Sequence, residues 1–256
     1  MIEEENQKNE MKIFGLLGRN ISYSFSSGYF SEKFIDLNLE NHKYINFDIE
    51  EVTEFPGLIS GNEQQIHGMN VTIPYKQEII PFLDDIDEEA KKIGAVNTIK
   101  FLANGKIKGY NTDVYGFKES IKPLLKSHHT KALILGTGGA SKAVAYALNA
   151  LQVTSTFVSR NPRCADQISY KSIDASIVSE YSIIINCTPL GTFPQTKLHP
   201  EIPYQYINQQ HLLFDLIYNP SVTTFLQKGK ENGAVIKNGL EMLQLQAEKS
   251  WQIWNS

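Results

Sequence analysis

LILGTGGAS, residues 133–141, decides the fold. A short apolar run passes into Gly136, Gly138 and Gly139, and an alanine-rich stretch with apolar residues at helical spacing follows over 139–151. Strand, glycine turn and helix in that order form the phosphate-binding corner of a doubly wound α/β sheet. The glycines allow a tight turn and let backbone amides come close to a pyrophosphate at the positive end of the helix. An ordinary strand-to-helix turn would also use glycines, so the neighbourhood has to support the reading. Gly136, Gly138, Gly139 and Ala140 are the candidate contacts, and Ser141 stands where the third glycine of the fingerprint usually lies.

The next strand, expected over 154–159, supplies that support. An NAD site places Asp or Glu at its end, about 20 residues beyond the turn, to bind the ribose 2′-hydroxyl. Here the residues are Ser159-Arg160-Asn161-Pro162-Arg163, without a carboxylate. Arginine offers charge-assisted, often bidentate hydrogen bonds to a 2′-phosphate, which a carboxylate would repel. Ser159, Arg160 and Arg163 therefore point to NADP(H) rather than NAD, although Arg163 also suits a solvated surface.

Outward from this corner, short apolar runs alternate with amphipathic stretches, the pattern of an α/β protein. Towards the N-terminus, strands are expected at 12–18, 43–49 and 67–73, and a helix at 28–39. A further helix is expected to begin at Pro74, where proline is tolerated. A hairpin is expected over 97–111 about Asn104-Gly105. Towards the C-terminus follow a helix at 114–125, strands at 132–135, 182–187, 211–216 and 234–236, and a last helix at 239–254. Leu240, Leu243, Ala247, Trp251 and Trp254 would share one face of that helix. The chain divides into an N-terminal α/β unit to about 112 and a doubly wound unit over 113–237.

Length and composition agree. The 256 residues suffice for one large domain or two modest ones. Twenty-four Lys and Arg against 28 Asp and Glu leave none of the basic excess that nucleic-acid backbone binding needs. No apolar run approaches the roughly 20 residues of a membrane span. Residues 1–10 carry four Glu, the reverse of a secretory signal, and read as a frayed tail. Two cysteines suit a reducing compartment, and no His or Cys spacing suggests a metal. A cytoplasmic enzyme without nucleic-acid or membrane partners is expected. Monomer and homodimer stay equally open. His128-His129 reads as a solvated loop, and Cys187 as core packing.

Four polar clusters fall at strand ends of the first half: Ser24-Phe25-Ser26, NVTIPYK (70–76), GAVNT (94–98) and GYNTD (109–113). Their hydroxyls, amides, one lysine and one carboxylate suit a small polyol or hydroxy acid. Taken singly, each has a structural explanation. The serines, Asn97, Thr112 and Asp113 could cap neighbouring elements, and Lys76 could be one surface lysine among many.

Taken together, and in this order, they resemble the shikimate dehydrogenase family from about residue 11 to 254. Besides NVTIPYK, GAVNT, NTD with Gly116, and GTGGAS, the similar segments are INCTPLG (185–191), DLIYNPSVTTFL (215–226) and NGLEMLQLQA (238–247). The resemblance implies an N-terminal α/β substrate domain, residues 1–112 plus 238–256, and a Rossmann-type NADP-binding domain, 113–237. It implies NADPH-dependent reduction of 3-dehydroshikimate to shikimate, on the route to chorismate and aromatic amino acids. Lys76 and Asp113 would flank the reacting oxygen, and Ser24 and Ser26 would hold the substrate carboxylate. Asn70, Thr72, Asn97, Tyr218 and Gln246 would complete the pocket. Thr188, Leu216 and Gly239 would join the cofactor set.

The chemistry asks for the same residue types. A hydride leaves the nicotinamide for the ketone carbon and a proton must reach the forming alkoxide. Lys76 can supply that proton and, charged, stabilise the oxyanion. The chain departs from the family's first signature, GxPIxHSxSP, at Asn20, Tyr23 and Ser27. It also departs at Ser159 and Asn161, which flank Arg160 where Asn-Arg-Thr is usual, and at Glu241, where a glycine is usual. A relative acting on quinate, or preferring NAD, is the alternative enzyme; Ser24 with Ser26 argues against quinate, and Arg160 against NAD. A non-catalytic binding module would be expected to lose Lys76 or Asp113, and both are present.

Overall fold

The computed structural model describes residues 10–22, 24–61 and 66–256; Tyr23 and most of the expected N-terminal tail lie outside the described residues. The chain forms two units, Met1–Thr112 with Ala247–Ser256, and Asp113–Gln246. Residues 238–246, which the resemblance assigns to the first domain, group with the second unit.

In the first unit the elements are β1 (Lys12–Gly18), α1 (Phe25–Asp36), β2 (His42–Asp48), α2 (Phe55–Ser60), β3 (Ile66–Val71), β4 (Asp85–Ile86), α3 (Glu88–Ile93), β5 (Thr98–Phe101) and β6 (Ile107–Tyr110). They make a mixed sheet in the order β2-β1-β3-β5-β6-β4. β1 runs parallel to both neighbours, while β3, β5 and β6 are successively antiparallel. The expected hairpin is β5–β6, with Gly105 at φ 78° in its turn. Helix α1 begins three residues before its expected start because Ser24 Oγ accepts from Ser27 N (3.3 Å) and caps it. No α-helix follows Pro74. Residues 73–79 form turns, with Tyr75 and Ile79 fully buried. A single 3-10 turn, Ile80–Phe82, follows and contains Pro81, which has no N–H to donate to an α-helical ladder.

The second unit contains α4 (Asp113–Ile121), β7 (Lys131–Leu135), α5 (Gly139–Ala150), β8 (Thr154–Ser159), β9 (Gln167–Ser169), α6 (Ala175–Glu180), β10 (Ile183–Asn186), β11 (Leu212–Asp215), α7 (Thr224–Glu231) and β12 (Val235–Lys237). The sheet is parallel throughout, in the order β12-β11-β10-β7-β8-β9. Numbered within the sheet this is 6-5-4-1-2-3, the doubly wound Rossmann order, and its switch point lies between β7 and β10. Residues 132–135, 183–185 and 212–214 are entirely buried, as expected of parallel strands covered on both faces. Helix α4 stops short of 125 because Pro123 cannot extend it.

The division between units falls inside α8 (Leu240–Trp254). The face this helix buries keeps Ala247 and Trp254 of the expected one and is otherwise rotated from it. Leu240 is 39% exposed and Leu243 half-buried, whereas Met242, Gln246, Ser250 and Trp254 form the buried row at spacings of four, beside Ala247. An apolar count misses this row because two of its members are polar residues with polar partners. Trp254 donates its indole N–H to Ile99 O (3.0 Å) and lies over Gly68, where an added Cβ would come within 2.3 Å of the ring. Phe14, Phe30, Phe34, Tyr44 and Ala247 pack around Trp254, with Trp251 half-buried at the edge.

Candidate active site

The substrate-side residues divide between the units: Ser24, Ser26, Asn70, Thr72, Lys76 and Asn97 in the first, Asp113, Tyr218 and Gln246 in the second.

In the first unit the buried side chains are joined by hydrogen bonds. The Ser26 hydroxyl bonds the Tyr44 phenol, which burial pushes well above its usual pKa. Tyr44 donates to Asn70 Oδ1 (2.9 Å), and Asn70 Nδ2 donates to Ser250 Oγ (3.0 Å) and Thr98 Oγ1 (3.3 Å). Thr112 donates to Asn97 Oδ1 from its backbone (2.7 Å) and its hydroxyl (3.2 Å), and its Oγ1 lies 3.1 Å from Ser250 Oγ. Three expected substrate residues, Ser26, Asn70 and Asn97, thus belong to one buried network. Of its connecting members, Thr98 was named only within the GAVNT cluster, and Tyr44 and Ser250 were not singled out from sequence. Ser250, a hydroxyl on a buried helix row four residues from Gln246, was the available signal. Lys76 is half-buried, and its carbonyl accepts from Val96 N (2.7 Å), tying its turn to the GAVNT loop. Thr72 is half-buried where the chain leaves β3.

The altered loop before Ser24 has its own support. Asn20 takes φ 56°, a left-handed conformation that asparagine tolerates and proline, locked near −65°, cannot adopt. Asp48 Oδ1 accepts from Asn20 N (2.8 Å) and Oδ2 from Ile21 N (3.1 Å), and Asn46 Nδ2 donates to Ile21 O (2.8 Å). Hydrogen bonds to β2 hold the loop where the resemblance expects a proline.

In the second unit, Asp113 is buried in the first turn of α4. Gly116 brings α8 close: an added Cβ would lie 2.4 Å from Met242 O and 3.0 Å from Gln246 Cβ. Gln246 therefore packs one helical turn from Asp113. Tyr218 is half-buried beyond β11.

The glycine turn has the geometry a phosphate needs. Gly136 takes φ 108°, and Gly138 caps α5 with nothing within 4 Å of where a Cβ would sit. Gly139 and Ala140 open that helix. Ser141 is wholly buried and donates to Gly138 O (2.7 Å), so it tightens the turn that a third glycine would normally accommodate. Ser159 Oγ accepts from Asn161 N (3.2 Å). Arg160 and Arg163 are exposed beyond β8. Thr188 donates to Asn186 Oδ1 through its backbone (3.0 Å) and hydroxyl (2.7 Å). Gly239 lies against the Leu216 backbone. Glu241, the unusual carboxylate, is paired with Lys237.

One expectation changes. His129 is buried rather than solvated: its Nδ1 accepts from Lys126 N (3.0 Å), its Nε2 faces Gln210 O (3.2 Å), and burial lowers its pKa. Asp215, not singled out from sequence, is a second buried carboxylate of this unit besides Asp113. Burial pushes it from 3.8 up to about 6, against hydrogen bonds from Thr223, Ile217 and Asn186 that act to lower it. Cys187 is half-buried, and burial pushes its thiol well above its usual range.

A folded-state pKa above the unfolded one means that the native state binds the proton more readily between about 4 and 6. This carboxyl's contribution to stability is therefore present below that window and is lost as pH rises through about 6. From pH 7 to pH 5, wild type should gain about 1 kcal/mol relative to Asp215→Asn in urea unfolding. Parallel pH profiles of the two proteins would contradict this.

Known proteins are similar to this chain over nearly its whole length. A family model described as the shikimate dehydrogenase substrate binding domain matches residues 16–99. A protein of Methanococcus maripaludis strain C6 named shikimate dehydrogenase (NADP(+)) is 39% identical, over 96% of this chain and 92% of its own. A crystal structure of a shikimate dehydrogenase in complex with NADP+ superposes with a TM-score of 0.84 at 31% identity, covering 95% of this chain and 90% of that one. The Thermus thermophilus enzyme in complex with NADP(H) and shikimate gives 0.84 at 29% identity, covering 95% and 93%.

Proposed function

The chain belongs to the shikimate dehydrogenase family, and we propose that it catalyses the NADPH-dependent, reversible reduction of 3-dehydroshikimate to shikimate in the cytoplasm. The observation that carries this reading is the second unit's phosphate corner. A left-handed Gly136 and an open Gly138 stand at the N-terminus of a twelve-residue helix, and the adjacent strand ends at Ser159, followed by Arg160, with no carboxylate. The amides of that first helical turn suit a pyrophosphate, and Arg160 suits a 2′-phosphate. NADPH, when bound, supplies the hydride.

This chain's residues handle the rest. Ser24 and Ser26 hold the substrate carboxylate through their hydroxyls. Asn70, Thr72, Asn97, Tyr218 and Gln246 orient the ring by hydrogen bonds. Lys76 delivers a proton to the oxygen that becomes the alkoxide, and its ammonium stabilises the developing negative charge. Asp113 balances that ammonium. Thr188, Leu216 and Gly239 line the cofactor side, with Arg163 at its outer edge.

Arg160 tests the cofactor assignment. Arg160→Ala should raise KM for NADP+ by roughly 10–100-fold, the range of a lost charge-assisted contact, and leave KM for NAD+ within about twofold. Equal effects on both cofactors would remove Arg160 from phosphate recognition.

A further inference from the structure

Asn186 ends β10 and Asp215 ends β11, and the two are register partners in adjacent strands, both fully buried. A carboxylate only accepts hydrogen bonds, so Asn186 must turn its NH2 group towards Asp215. It does so, donating from Nδ2 to Asp215 Oδ1 (3.1 Å) and to Leu190 O (3.3 Å). That choice leaves Asn186 Oδ1 as the acceptor for both Thr188 bonds, and Thr188 Oγ1 in turn accepts from Leu190 N (3.2 Å). The same carboxylate accepts from Ile217 N (3.0 Å) and from Thr223 Oγ1 (2.6 Å), so it holds the loops after two neighbouring strands. The first of those loops backs the glycine turn. An added Cβ at Gly136 would lie 3.2 Å from both Cys187 O and Thr188 Cγ2.

We propose that Asp215 is a positioning residue for the cofactor: by fixing which way the Asn186 amide faces, it sets Thr188 and the 187–190 loop against the Gly136 turn. The inference rests on the proposed reading of the second unit as the NADP(H) side. The nucleotide is not touched by Asp215; the effect passes through Asn186. Asparagine at 215 still presents an oxygen to the Asn186 NH2 group, with its own NH2 towards the Thr223 hydroxyl. Alanine presents nothing and frees the Asn186 amide to turn over.

The test is a fluorescence titration of the full chain with NADPH, alongside thermal melting followed by circular dichroism. Asp215→Ala should raise Kd by about tenfold or more, and Asp215→Asn should restore it to within about threefold of wild type. Thr223→Val, which removes the hydroxyl on the other carboxylate oxygen and the α7 cap, should lower the melting temperature and leave Kd within about twofold. If Asp215→Ala does not fold, Asn186→Ala removes the oriented amide itself and should weaken NADPH by a similar factor. An unchanged Kd in the folded alanine variant overturns the proposal, as does a Thr223→Val variant that weakens NADPH equally. Wild-type protein that fails to bind NADPH would instead overturn the cofactor reading on which the proposal stands.

Discussion

Lys76→Ala should lower kcat by roughly 10²–10⁴-fold while KM for shikimate and for NADP+ each change by no more than a few-fold. Hydride transfer to a ketone leaves negative charge on oxygen, and without a positioned donor the proton must come from water. In the proposed role the ammonium stabilises that charge in the transition state more than it stabilises the neutral ketone, so its loss should appear in kcat rather than in binding. The backbone around position 76 should survive the change: Val96 N bonds the Lys76 carbonyl, and the neighbouring anchors Tyr75 and Ile79 are fully buried. A far-ultraviolet spectrum matching wild type would confirm that the loss is chemical. Unchanged kcat would remove Lys76 from the mechanism.

Gly239→Ala should be the most damaging change of a single methyl group. The added Cβ would sit 2.1 Å from Leu216 O, 2.6 Å from its carbonyl carbon and 3.1 Å from its Cα. These are backbone atoms, and Gly239 N donates to Ile217 O (3.1 Å), so the two segments cannot separate without breaking that bond. Overpacking against a fixed wall costs about 1–3 kcal/mol and sometimes more. Because Leu216 and Gly239 both belong to the proposed cofactor side, NADPH affinity should fall with stability. Gly57→Ala is the control: its Cβ meets nothing within 4 Å, and alanine within α2 should be neutral or stabilise by up to about 1 kcal/mol. Equal urea midpoints for the two variants would contradict the packing argument.

Much of this was legible from residue patterns. The parallel strands of the second unit read as apolar runs because both their faces are covered, and Asn104-Gly105 marked the hairpin. The glycine turn carried its own chemistry. The six-residue helices Phe55–Ser60, Glu88–Ile93 and Ala175–Glu180 are too short to display a helical period, and their signals are end residues such as the caps Asp87, Gly94 and Asp174. The buried row of the last helix was hidden because Gln246 and Ser250 are polar, and their burial depends on partners far away in sequence, Asn70, Thr98 and Thr112 in the case of Ser250. Asp215 was illegible for the same reason: only the pairing of β10 with β11 brings Asn186 to it. Asn20 looked like damage to a loop. Its left-handed backbone and the Asp48 carboxylate show a different way of holding the same turn.

The central claim is the reaction itself, and absorbance at 340 nm tests it most directly. Purified protein is given shikimate with NADP+, shikimate with NAD+, and quinate with each, beside Lys76→Ala under the same conditions. Rapid NADPH formation from shikimate and NADP+ is expected, with little from the other pairs and loss of that rate in the variant. Folded protein that binds NADPH yet turns over none of these pairs would contradict it.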